Sequence, residues 1–253
     1  MSALVTEAIV LHAFDYLETS RIVRLMTRDA GVQSVIARGA RSSRKRFGTS
    51  VDLFAQGTVE IHVRPNRELQ SMASFETTRA RPQFARDVGR FVAGSMIAEL
   101  ALRASSDESA QGMFDSVELA LDNLAAAEAT ETVSAALAGA WHMIATLGFT
   151  PSLDSCANCH LELDEDAAVA FSHSAGGALC ARCANQASGT RAIPSAARSA
   201  LREWMSGSAT PRLTLPESRA HQRLLREFFL EHLGDQRDLK AYGVWEHGAW
   251  TAA

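Results

Sequence analysis

Hydrophobic and polar positions change rhythm along the chain. Up to about residue 80, short apolar and β-branched runs between turn signals read as strands. Thr6–Phe14 is an apolar run bounded by polar residues, and Ile22–Thr27 follows a polar turn at Leu17–Arg21. Asp29-Ala30-Gly31 is a turn signal before Val32–Ala37. Within Asp52–Arg64, Thr58, Glu60 and His62 alternate with Val59, Ile61 and Val63. Pro65-Asn66 marks another turn, and Arg67–Glu76 reads as a fifth strand. Five short strands without an intervening helix predict a small barrel or sandwich. A barrel is favoured because closure removes unpaired edges.

After Arg81-Pro82 the period becomes helical. Phe84, Val88, Phe91, Met96, Ile97 and Leu100 mark a helix over Gln83–Arg103. Phe114, Val117, Leu121 and Leu124 mark a second over Ala110–Ala127, and Val133, Leu137, Trp141, Ile144 and Leu147 a third over Glu131–Leu147. Thr130 and Thr132 are candidate N-caps for the third, with Gly148 as its stop before Pro151. Helical spacing returns at Ser195–Ser206 and Glu217–His232, while the last twenty or so residues resist placement. The chain thus reads as an α+β multidomain protein: strands over 1–80, helices over 81–153 and 188–253, and an inserted module over 154–187.

All four cysteines lie in that insert, between 156 and 183. Cys156-Ala-Asn-Cys159 and Cys180-Ala-Arg-Cys183 are two C-x2-C knuckles of zinc-ribbon spacing. Each knuckle can aim two thiolates at one ion, and two knuckles complete a tetrahedron with bonds of about 2.3 Å. Ala168–Phe171 and Ser174–Gly177 suit a hairpin that brings the knuckles together. Four thiolates leave no open position for water, so one structural zinc is expected, although spacing does not separate zinc from iron. His160-Leu-Glu162 with Cys180-x-x-Cys183 resembles a zinc-deaminase signature but fails it: Leu179 stands where proline belongs, and Cys156 and Cys159 would have no role. Neither knuckle follows a βαβ pattern, which argues against thioredoxin-like chemistry.

Charge adds a second candidate site. The net charge of −4 hides an asymmetry: residues 1–80 hold 11 basic and 8 acidic side chains, the rest 14 and 21. Arg38, Arg41, Arg44, Lys45 and Arg46 place five cations in nine residues with no acid among them. Between two strands of a barrel this is an exposed loop whose natural counterpart is phosphate. Arg21, Arg24 and Arg28 recur near one strand and either extend the patch or simply face solvent, and Tyr16, Phe47, Phe14 and Phe54 offer faces for bases. Phe54 suits the core equally well. The bland alternative is a solvated loop that binds nothing.

The remaining observations exclude classes. No phosphate-binding glycine loop, G-x-S-x-G elbow or H-E-x-x-H occurs, so no enzyme is expected. No apolar run reaches a membrane span, and the N-terminus lacks a signal-peptide pattern, so a cytoplasmic location is expected.

Together the pieces resemble the RecO family of bacterial recombination mediators. The resemblance is carried by Thr6–Leu11, Asp15-Tyr16, Thr19–Val23, Thr27–Gly31, Ala37–Arg41 and Phe47, then Leu147–Pro151, the cysteine pairs, Phe171-Ser172, Gly176–Cys180 and Leu230–Gly234. It implies an N-terminal OB-fold, a central helical domain and a zinc module. It implies a non-enzymatic role in homologous-recombination repair, at the nucleoid, with binding to single- and double-stranded DNA and annealing of complementary strands. It further implies work with RecR, sometimes with RecF, to help RecA displace single-strand-binding protein, whose acidic C-terminal tail would take an apolar groove of the helical domain. Some members lack the cysteines, which favours a structural metal. The competing class is a zinc-ribbon interaction scaffold or transcription-associated factor without a direct DNA role.

Overall fold

The computed structural model describes residues 2–40, 51–65, 67–104, 110–207, 212–233 and 238–248. The chain packs as two compact units, Met1–Ala126 and Ala127–Ala253. The division falls inside the segment 81–153 that the helical period marks as continuous. Its first helices pack with the strands, and the third packs with the C-terminal half.

In the first unit, β1 (Ser2–Tyr16), β2 (Ser20–Thr27), β3 (Gly31–Ala37), β4 (Gln56–Val63) and β5 (Leu69–Arg79) close into a barrel of order β1-β2-β3-β5-β4. Neighbours run antiparallel except β3 and β5, which pair in parallel over Ser34–Ile36. Alternation places Val23, Leu25, Val35, Val59, Ile61 and Phe75 in the buried interior. Each such side chain contributes on the order of 1.5–3 kcal/mol.

One irregularity decides what the outside of this barrel presents. Between Val10 and His12 the β1–β2 register shifts. Val10 faces the core, and strict alternation would bury His12 and Phe14 behind it. After the bulge Ala13 packs on the core instead, and His12, Phe14 and Tyr16 are exposed. The segment before β4 satisfies the disrupted backbone: Val10 N–H donates to Ala55 O at 2.9 Å, and Phe54 N–H donates to Val10 O at 2.8 Å. This explains why β4 starts at Gln56 rather than at Asp52. Residues 51–55 wrap across β1, and Phe54 enters the core against Phe84, ring centroids 4.7 Å apart. Phe54 is therefore core and not a binding platform.

Helices α1 (Gln83–Arg86), α2 (Val88–Ala104) and α3 (Ala110–Ala126) complete the unit. The single helix expected over 83–103 is interrupted because Asp87 takes an extended conformation, φ −139° and ψ 118°. Its carboxylate accepts from Arg90 N–H at 2.7 Å and so caps α2. On α3, Asp115, Glu118 and Asp122 recur at helical spacing. They meet arginines of the barrel: Arg28 with Asp115 at 2.5 Å and Glu118 at 3.5 Å, Arg79 with Asp122, and Arg81 with Asp122 at 2.7 Å.

The second unit is built on α4 (Thr132–Thr146), preceded by a 3-10 turn at Ala129–Glu131. Its N-cap position is Glu131, without a side-chain cap. Neither Thr130 nor Thr132 caps it: Thr130 lies in the 3-10 turn, and Thr132 is the first helical residue, its hydroxyl donating back to Glu128 O. Its C-terminus ends as expected at Gly148, φ 85°, where Gly148 N–H donates to Ala145 O and Phe149 N–H to Ile144 O. A three-stranded sheet of order β7-β6-β8 follows, from β6 (Val169–Ser172), β7 (Gly177–Leu179) and β8 (Arg191–Ile193). Then come α5 (Ala181–Ala184), α6 (Ser195–Met205), α7 (Leu215–His232) and α8 (Lys240–His247). α7 begins two residues earlier than periodicity suggests, because Thr214 and Glu217 form a capping box. The last helix, unassigned from sequence, buries Tyr242 and Trp245, and Tyr242 Oη donates to Gln222 O at 2.6 Å. Among the described residues, no helix is long and apolar enough to cross a membrane.

Candidate nucleic-acid face and metal centre

The bulge and the strand register assemble one outer face of the barrel. His12 pairs with Arg24, and Arg24 with Ser34; Phe14 pairs with Ile22, and Ile22 with Ile36. Ile36 pairs with Ser71 across the parallel β3–β5 contact. Arg38, two residues beyond Ile36, is exposed and donates from Nη1 to Ser71 Oγ at 3.3 Å. The face thus carries exposed Phe14 and Tyr16, 46% and 41% accessible, beside half-buried Arg24 and exposed Arg38. His12 leans on Phe14 with ring centroids 5.7 Å apart.

The sequence-nominated cations divide into three groups. Arg24 and Arg38 lie on this face. Arg21 sits at its edge, its guanidinium 3.0 Å from Asp15 Oδ1 and 3.3 Å from Val51 O. Arg41, Arg44, Lys45, Arg46 and Phe47 lie outside the described residues. Arg28, which could have extended the patch, is committed elsewhere. It pairs with Glu7 at 2.7 Å as well as with Asp115, and its guanidinium lies 4.1 Å over the Phe114 ring. Burial lowers its pKa, but hydrogen bonds to Asp115 and Glu7 outweigh this and hold it above the ordinary value.

The cysteine module is built as the spacing predicts. His160, φ 60°, closes the first knuckle by donating to Cys156 O at 2.8 Å, while Cys156 N–H donates to Leu161 O at 2.8 Å. The second knuckle runs from the end of β7 into α5, whose N-cap position is Cys180. Ala157 N–H donates to Ala178 O at 2.8 Å, which ties the first knuckle to β7. Beside it, Gly177 lets Ser152 lie close against β7: a Cβ there would lie 2.3 Å from Ser152 O, which accepts from Ala178 N–H at 2.7 Å. The four Sγ atoms fall within 4.8 Å of one another, and those of Cys159 and Cys180 are 3.7 Å apart. A tetrahedral thiolate site with bonds of about 2.3 Å has edges of about 3.8 Å. The donor set and spacing therefore fit one metal ion. Burial opposes ionisation of Cys156, but backbone N–H groups of Cys180, Cys159 and Asn158 outweigh it and draw the thiol down to about 6. The neighbouring Cys180 sulfur and burial push Cys183 up to about 12. Uneven thiols of this kind share protons until a cation claims all four sulfurs.

Sequence reasoning missed the arginines that brace this module. Arg198 of α6 is fully buried and donates to Asp164 O at 2.7 Å and Ala167 O at 3.4 Å. One turn on, Arg202 pairs with Asp154 at 2.6 Å. The available signal was an arginine three residues before Leu201 and six before Trp204, on an otherwise apolar stripe.

Comparison with known proteins agrees with this architecture. The family model "Recombination protein O N terminal" matches residues 1–81, and "Recombination protein O C terminal" matches residues 85–241. The chain is 33% identical to the DNA repair protein RecO of Anaeromyxobacter sp. (strain K) over 231 residues, 89% of this chain and 90% of that one. It is 33% identical to the DNA repair protein RecO of Myxococcus xanthus (strain DK1622) over 231 residues, 90% of this chain and 91% of that one. Matches to both halves in order, and similarity over most of two chains, leave one assignment: the protein belongs to the RecO family of DNA repair proteins.

Proposed function

We propose that this protein is a non-enzymatic mediator of recombinational repair, acting in the cytoplasm at the nucleoid. Its barrel is read as an OB-fold. It holds DNA backbones without sequence preference, anneals complementary strands, and with RecR, sometimes RecF, helps load RecA onto strands coated by single-strand-binding protein. The observation that carries this reading is the outer face of the barrel, where Phe14 and Tyr16 lie exposed beside Arg24 and Arg38. In chain order that face leads directly into Arg41, Arg44, Lys45, Arg46 and Phe47. Cations neutralise phosphates and release condensed counterions, while aromatic faces accept bases. Two strands held this way repel each other less, so pairing proceeds with no covalent step. Single- and double-stranded DNA both offer the required phosphates.

The cysteines are proposed to hold one structural Zn2+ through Cys156, Cys159, Cys180 and Cys183. Zinc fits a closed thiolate tetrahedron and supplies folding free energy to a module with a small apolar core. For the acidic tail of single-strand-binding protein, we favour a groove of about 570 Å³ beside α6 and α7. Ile193, Ala197 and Leu224 give it an apolar floor, and Arg212 and Arg223 a basic rim. A short acidic peptide with an apolar end matches that chemistry.

Annealing of complementary oligonucleotides by the purified protein tests the reading. Acceleration is expected with bare strands, and with coated strands when RecR is added. Rates equal to spontaneous annealing in both cases would refute it.

A further inference from the structure

The three-stranded sheet of the second unit has one covered edge and one open edge. Beyond β7 the chain around the first knuckle covers it: Ala178 N–H donates to Ser152 O at 2.7 Å, and Ala178 O accepts from Ala157 N–H at 2.8 Å. On the other side lies β8, whose ladder runs to β6 alone, with Val169 opposite Ile193, Ala170 opposite Ala192 and Phe171 opposite Arg191. Among the described residues, no further main-chain bond reaches Arg191, Ala192 or Ile193. An open edge presents unmet N–H and C=O groups, and folds usually block it with charge or cover. Here neither stands in the way. Exposed Ala192 carries only a methyl group, and the Arg191 guanidinium is turned onto α7, where Nε donates to Glu227 Oε2 at 2.7 Å.

The open edge borders the groove of about 570 Å³ whose far wall is α6 and α7. Every residue of Thr190–Pro194 lines it. Side chains of a strand alternate between two faces, so consecutive residues share a boundary along the edge and not on either face. From α6 come Ala196, Ala197 and Ala200, whose short side chains leave width for a further strand, about 4.8 Å from its neighbour. Arg223 and Arg212 supply positive charge at the rim. The pair of Arg212 with Glu131, at 3.3 Å, is exposed and therefore weak, so Arg212 can turn to a ligand. Glu217 also lines the groove, but its carboxylate is taken up by Thr214 in the capping box, accepting from Thr214 N–H at 2.7 Å. Open backbone groups, an apolar floor and a basic rim together suit an extended acidic peptide.

We propose that β8 is a docking edge, on which an extended acidic peptide pairs as a fourth strand to give the order β7-β6-β8-peptide. Main-chain bonds to β8 supply the affinity, and alternate side chains of the peptide drop onto the alanines and Leu224. The proposal rests on the reading of this groove as a peptide site and adds how the occupant is recognised: through its backbone, with side chains selected at every second position.

The test measures fluorescence anisotropy of the full-length protein with a labelled synthetic peptide, acidic in its N-terminal half and apolar in its C-terminal half. A series of the same peptide carries one backbone N-methyl group each, which removes a single N–H donor and leaves every side chain in place. Affinity is expected to fall about tenfold, the cost of one lost buried hydrogen bond, at every second position and to hold at those between. Amide hydrogen exchange in Arg191–Ile193 is expected to slow when the parent peptide is added. Equal affinity across the series, losses without alternation, or unchanged exchange in β8 overturns the proposal. So does slow exchange there without peptide in a self-associating protein, which would give the edge to a second copy of the chain. Arg223→Glu separates the proposal from the reading beneath it. If that variant weakens the parent peptide while the N-methyl series shows no alternation, the groove remains a peptide site and strand pairing is lost; if the parent peptide does not bind at all, both fail.

Discussion

At the residue scale, burial gives single side chains consequences that their chemical type alone would not. His221 is 4% exposed, stands edge-on to Trp204 with centroids 4.7 Å apart, and is driven by burial to a pKa of about 4. Its folded value lies below the unfolded value of about 6.5, so the unfolded chain binds the extra proton first. Stability from this group is complete above pH 6.5 and declines as pH falls toward 4, by about 3 kcal/mol in all. Urea unfolding followed by tryptophan fluorescence should show that decline, and His221→Phe should flatten it. Arg198 is the second case. Replacing it with methionine leaves the carbonyls of Asp164 and Ala167 without their donor. A loss of about 1–3 kcal/mol in urea unfolding is expected. At the cysteines, Cys156→Ser should remove the metal and unfold the module together, measured by metal analysis alongside proteolysis of 154–187.

At the scale of elements, two devices set the barrel's surface. The bulge at Val10–His12 turns aromatic side chains outward. The acidic face of α3 takes up arginines that would otherwise look like part of a basic patch. Arg81 shows how tightly. It is 6% exposed and donates to Phe54 O at 2.7 Å, to Gln56 Oε1 at 3.2 Å and to Asp122 Oδ1 at 2.8 Å. Burial lowers its pKa despite Asp122. Asp122→Ala would leave this guanidinium without its carboxylate, and a loss of about 3 kcal/mol is expected in denaturant unfolding. These elements also show what a sequence makes legible. Apolar runs between turn signals, with period-two alternation over Thr58–Val63, located all five strands, and paired C-x2-C spacing located the cysteine cluster, because these signals are local. The bulge, the wrap of residues 51–55 and the pairing of Arg28 with Asp115 depend on partners from about 12 to about 90 residues away, which periodicity does not record. The break at Asp87 was local, but apolar spacing continues through it and masks the cap.

At the scale of the whole molecule, the proposed function assigns DNA to the barrel and a structural metal to the cysteine module. Residues 1–80 carry the net positive charge, yet Arg28 and Arg79 are matched by acids of α3. On the proposed reading, DNA meets the face that carries Arg24 and Arg38, and in chain order the cations at 41–46 follow it. The second unit, with its four sulfurs and its apolar groove, is a braced platform for protein partners on this reading. Barrel and cysteine module each have a core of their own, so chelation should disturb the second unit while leaving oligonucleotide binding intact. The most direct single measurement is the salt dependence of single-strand binding for the parent and for a variant with Arg24, Arg38, Arg41, Arg44, Lys45 and Arg46 all changed to alanine. A line whose slope loses about 0.7 for each phosphate contact removed is expected, together with much weaker binding in dilute buffer. Parallel lines of equal affinity would contradict the assignment of DNA to this face.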